Sequence, residues 1–186
     1  MYKFILIVFS FGNLISNAQS IYSRTIDGDS TITIFTNSDT IAIGDNECSV
    51  FAMILNEDSI NFYTLSYVFK APKSIYLSSS YNLRIRFVDG QVYNFKNINE
   101  DRFFSEGNNV EFRILVEKYQ LYKMSSFAIT SVRLQRDDFK YDIPINYPYV
   151  NKIPDLADFV LNLDVYKEFN TPDKQTESTL IPFPEN

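Results

Sequence analysis

The stretch Tyr81–Phe95, YNLRIRFVDGQVYNF, limits the possible folds more than any other part of the chain. Runs of alternating apolar and polar residues flank Asp89-Gly90, and Asp-Gly is a strong hairpin signal because glycine takes a positive φ without steric cost. The register can be tested on paper. A plain two-residue loop pairs Phe87 with Val92, but it sets Ile85 against Asn94 and Leu83 against Lys96. A three-residue loop, Val88-Asp89-Gly90 with Gly90 left-handed, pairs Phe87 with Gln91, Ile85 with Tyr93 and Leu83 with Phe95. That choice gathers the apolar side chains on one face and sends Arg84 and Arg86 to the other. A slip of one residue would carry every side chain across the sheet, so the bulged turn is the expected one.

The same alternation recurs along the chain. Thr31–Thr36 places Ile32 and Ile34 on one face, and Thr40–Ile43 continues with Ile41 and Ile43. Glu47–Leu55 is apolar on both faces, with Cys48, Val50, Ala52 and Ile54 on one and Phe51, Met53 and Leu55 on the other, the pattern of a central strand covered on both sides. Ser59–Phe69 is rich in β-formers, Ile75 and Leu77 make a short strand, Phe103-Phe104 an edge strand, and Val110–Val116 alternates cleanly. A second hairpin turns at Asp137-Asp138, pairing Leu134 with Tyr141 and Val132 with Ile143 and setting Arg133 opposite Asp142. Ile21–Ser30 reads as a polar lead-in. Two segments change period. Glu117–Met124 suits a short helix with Leu121 and Met124 on one side. Beyond Pro154, residues Leu156, Phe159, Val160, Leu163 and Tyr166 fall at helical spacing; strand competes there, and the length of the run favours helix. The expected fold is all-β: an antiparallel β-sandwich (or flattened barrel) with one short helix near 117–124 and a C-terminal helix near 154–168.

The ends read differently. Lys3, the apolar run Phe4–Ile15 and the small-residue site Ser16-Asn17-Ala18 have the order of a secretory signal peptide over 1–18, cleaved after Ala18. The run is too short to span ~30 Å of hydrocarbon, and no transmembrane segment is expected elsewhere. Residues 19–169 then form a single β-sandwich domain and 170–186, polar and Pro-containing, a disordered tail. The destination is periplasmic or extracellular. Ser16-Asn17-Ala18-Gln19 and the Asn/Ile/Phe/Tyr-rich composition resemble those of small exported bacterial proteins. A single cysteine, Cys48, allows no internal disulfide, and its apolar neighbours mark it as a buried thiol. A net charge of −6 and a pI of about 4.7 argue against nucleic acid, and the basic residues are scattered along the sequence with no cluster for an anionic membrane.

The chain has no histidine, which removes Ser-His-Asp and Cys-His catalysis, His-ligated zinc and an imidazole base. No nucleophile elbow or phosphate-binding glycine loop occurs, and nothing calls for a cofactor or a metal. Asp27-x-Asp29-x-Thr31 opens like a calcium loop, but position twelve is Ser38, so it reads as a turn. A carboxylate pair drawn from Glu57, Asp58, Glu111, Asp137 and Asp138 would allow a glycosidase-like hydrolase; turn chemistry and an outward strand face explain each acid without catalysis. The other opening is Asn146-Tyr147-Pro148-Tyr149, where Tyr147 and Tyr149 sit on a loop beside a rigid β-scaffold and can stack on a sugar or a protein side chain; packing of both rings against the sheet is the alternative. Arg84, Arg86 and Arg113 read as a solvated charged sheet face. The expectation is a non-catalytic binding or envelope-structural module for an unknown protein or glycan, with the carboxylate hydrolase as the alternative.

Overall fold

The computed structural model describes residues 20–27, 31–137 and 139–165. The expected leader, the expected tail, the end of the C-terminal helix segment and Asp138 lie outside them. Among the described residues the chain forms an antiparallel β-sandwich. The first sheet is built on β1 (Ile21–Asp27), β2 (Thr31–Thr36), β3 (Asp39–Ala42), β4 (Cys48–Glu57) and β5 (Ile60–Lys70), and is completed by β10 (Asn109–Val116). Its order is β1-β2-β4-β5-β10, with β3 also pairing with β4. Between β5 and β10 the chain makes β6 (Ile75–Leu77), the hairpin β7 (Asn82–Phe87) and β8 (Val92–Lys96), and β9 (Arg102–Phe104). After β10 come helix α1 (Lys118–Ser126), β11 (Ile129–Arg136), β12 (Phe139–Pro144) and helix α2 (Lys152–Asn162). The second sheet runs β12-β11-β7-β8, and β6 pairs with β9 in a small separate ladder. Because the chain shuttles between the two sheets, neither can be cut out as a separate unit.

Both hairpins have the registers that the side-chain pattern requires. Leu83 faces Phe95 and Ile85 faces Tyr93. The Phe87 N–H donates to the Gln91 carbonyl at 3.0 Å, and Gly90 sits at φ 84°. In the second hairpin Leu134 faces Tyr141 and Val132 faces Ile143. Arg133 holds Asp142 through two hydrogen bonds, one of them Nη2 to Oδ2 at 3.0 Å. The inner faces share one core: Ile34, Val50, Leu65, Phe112, Leu83, Ile85, Val132 and Ile143 are fully buried. Phe69 of β5 meets Tyr141 of β12 at 5.5 Å between ring centroids, which ties one sheet to the other. Aromatic pairs of this kind add about 0.5–1.5 kcal/mol beyond their burial.

Four departures have physical reasons. The lead-in is an edge strand, β1, which pairs with β2 through its backbone and so needs no apolar alternation. Ile41 is buried but Ile43 is 66 % exposed, because a bulge between Thr40 and Ala42 breaks the alternation and the chain then enters a 3₁₀ turn at Gly44. Helix α2 starts at Lys152, two residues ahead of Pro154, since first-turn N–H groups have no intrahelical partner for a proline to remove; it ends at Asn162, whose side-chain amide donates to the Asp158 carbonyl at 2.9 Å. Its stripe Ile153, Leu156, Ala157 and Val160 is buried, as helical spacing requires. Finally, Arg113 belongs to β10 of the first sheet, not to the face bearing Arg84 and Arg86.

Candidate functional site

The two loop tyrosines part company. The Tyr149 N–H donates to the Asn146 carbonyl at 2.8 Å, closing a turn with a cis peptide between Tyr147 and Pro148. Tyr147 is left 89 % exposed, while Tyr149 opens a 3₁₀ turn and packs half-buried against the core. The loop therefore offers one free ring rather than two.

Of the carboxylates singled out in the sequence, Asp138 lies outside the described residues, and Glu57, Glu111 and Asp137 do not converge. Glu57 faces Ile60 and Glu111 faces Val68, so these acids stand eight residues apart along β5, roughly 27 Å at ~3.4 Å per residue. A glycosidase pair needs about 5–10 Å. Glu111 is also engaged: its Oε1 accepts from Ser66 Oγ at 2.7 Å and pairs with Arg113 Nη2 at 2.6 Å. Asp137 pairs with Arg136 at the tip of the other sheet's hairpin. Asp39 and Asp155, not singled out in the sequence, do share a neighbour. Lys152 Nζ lies 3.4 Å from Asp39 Oδ1, and the Asp155 carboxyl is pushed up chiefly by desolvation, with Lys152 opposing. This group pins the first turn of α2 to β3, where an acid also suits the helix N-terminus. Among the described residues no three His, Cys, Asp or Glu are grouped to hold a metal ion. Cys48 is fully buried, and burial pushes its thiol up to about 12.

The feature that sequence reasoning missed lies on the outer face of the first sheet. The inner row of β4, Cys48 to Ile54, is buried as expected, but the outer row of Phe51, Met53 and Leu55 is only half-buried, and among the described residues no further layer covers it. Cross-strand register continues this row. Phe35 of β2 faces Met53, and Leu55 faces Phe62, itself 40 % exposed. At the β1–β2–β4 corner the surface sinks into an open depression of about 740 Å³ lined by Tyr22, Phe35, Thr36, Asn37, Ser38 and Phe51. Tyr22, at a bulge in β1, is 76 % exposed. Thr36 fixes the corner: its buried hydroxyl accepts from the Ala52 N–H at 2.9 Å. Ser38 supplies an exposed hydroxyl and Asn37 an exposed amide whose nitrogen donates to Ser20 Oγ, and none of the six lining residues is an acid or a base of the Asp, Glu, Lys or Arg type. The sequence signal was the second apolar row of β4, read as a covered face. No family model, curated protein or solved structure matches the chain. Among the described residues no helix is long and apolar enough to cross a membrane.

Proposed function

We propose that this is an exported, non-catalytic binding protein that holds a neutral glycan in the depression at Tyr22, Phe35 and Phe51. One observation carries the reading: a depression lined by three aromatic rings together with polar but uncharged Thr36, Asn37 and Ser38. A sugar ring has a C–H face that stacks on aromatic rings and hydroxyls that pair with amides and hydroxyls such as those of Asn37 and Ser38. A charged ligand would find no counter-charge among these residues. The volume falls within the ~300–1,000 Å³ of small-ligand sites. Export rests on the residue order within 1–18.

The test is calorimetric titration with a panel of soluble neutral oligosaccharides. Saturable binding is expected, weakened at least about tenfold by Tyr22→Ala or Phe51→Ala, since each truncation removes an aromatic stacking face. Tyr147→Ala should leave it unchanged. Loss in Tyr147→Ala instead would move recognition to the 146–149 loop, and binding to no member of the panel would refute the glycan reading.

A further inference from the structure

Basic residues that are scattered in sequence converge on the outer face of the second sheet. Register places Asp142, Arg133, Arg84 and Asn94 in one row across the four strands, and Ser131, Arg86 and Val92 in the next. The row on the other side sets Lys140 opposite Gln135, and Lys96 opposite Asn82. Five cations thus share a face on which Asp142 is the one carboxylate among the described residues, in a chain whose net charge is −6. Arg84 and Arg133 stand directly opposite each other, an arrangement that costs stability unless something neutralises it. Asp142 engages Arg133 only; Arg84 reaches Gln135 at 3.4 Å. Arg84, Arg86 and Arg133 ring a cavity of about 50 Å³ with the Ser131 hydroxyl at its wall.

We propose that this face binds tetrahedral oxyanions, phosphate or sulfate monoesters, carried at intervals along a linear polysaccharide. The Arg84 and Arg86 guanidinium groups and the Ser131 hydroxyl, around a small cavity whose third arginine, Arg133, is already paired with Asp142, suit an oxyanion with several acceptor lone pairs. The face extends further than one anion requires. Lys140 and Lys96 lie on the outermost strands, roughly 14 Å apart across three strand spacings, where they meet neighbouring groups on a polymer. Among the described residues the face carries no aromatic ring, and so no platform for nucleic-acid bases. Val92 and Pro144 are its apolar members, too little to insert into a lipid surface.

Heparin serves as the probe, with affinity measured across a salt series. The wild-type chain should bind saturably, with affinity falling as salt rises. Arg84→Gln with Arg86→Gln should weaken binding at least about tenfold and flatten the salt dependence. The double variant should melt no lower than wild type without heparin, because a like-charge pair is relieved. Lys70→Gln with Lys118→Gln makes the same charge change on β5 and α1 and should leave heparin affinity within about twofold. Four results would overturn the proposal: no heparin binding by wild type, equal loss in the two double variants, single-stranded DNA bound as tightly as heparin, or anionic phosphatidylglycerol vesicles bound as tightly as heparin.

Discussion

Gly90 sits at φ 84° with no atom within 4 Å of where a Cβ would lie. The cost of a side chain there is therefore conformational rather than steric. Gly90→Val should lower stability by about 1 kcal/mol or more, seen as a lower urea midpoint at unchanged slope. This requirement was legible because Asp-Gly and the flanking alternation pointed to the same turn. Cys48 was legible too, since its row of small and branched neighbours matched a buried face. Ile43 was not. Its exposure follows from a bulge set by how β3 meets β4, and a strand read alone carries no mark of where its partner will gain a residue. Tyr147 and Tyr149 show the same limit: two residues apart on one loop, they differ in burial because a 3₁₀ turn begins at Tyr149.

At the scale of elements, the central hairpin is fastened to α1. Lys123 Nζ lies 2.7 Å from Asp89 Oδ2 and 3.5 Å from the centroid of the Phe127 ring. The hydrogen bond from Lys123, together with the Gln91 N–H, holds the Asp89 carboxyl below its ordinary value of 3.8. A lowered carboxyl pKa in the folded chain stabilises it above the ordinary value, and the benefit is lost as pH falls through the lowered one. Asp89→Asn should thus melt below wild type near pH 6, and the two should converge as pH falls below the ordinary carboxylate value in a series of thermal melts. Hairpins could be read from sequence because both partners are local and a wrong register exposes apolar side chains. Strand β1 could not, because an edge strand held by backbone pairing leaves no side-chain pattern. The small ladder of β6 and β9 was visible only as two short apolar pairs, since its pairing spans the whole central hairpin.

On the scale of the molecule, the class of fold followed from many short alternating runs, whereas neither candidate surface did. Phe35 and Phe51 meet only through the β2–β4 pairing, and Arg84 meets Arg133 across half a hundred residues of intervening chain. A surface assembled by long-range register is scrambled in sequence, so apolar rows looked covered and cations looked scattered. The two outer faces also point away from each other, with the shared core between them. If both proposed surfaces bind as argued, a molecule built this way would act as a coupler: against one soluble polymer it would coat; between two, a neutral one and an anionic one, it would cross-link. Mixtures of all three should pass through a turbidity maximum at an intermediate protein ratio and clear again in excess, and Arg84→Gln with Arg86→Gln should abolish the maximum while leaving attachment to the neutral polymer. The sandwich would then set the thickness of a seam, roughly 10 Å between its sheets plus the side chains on either side, joining two materials that have no affinity for each other.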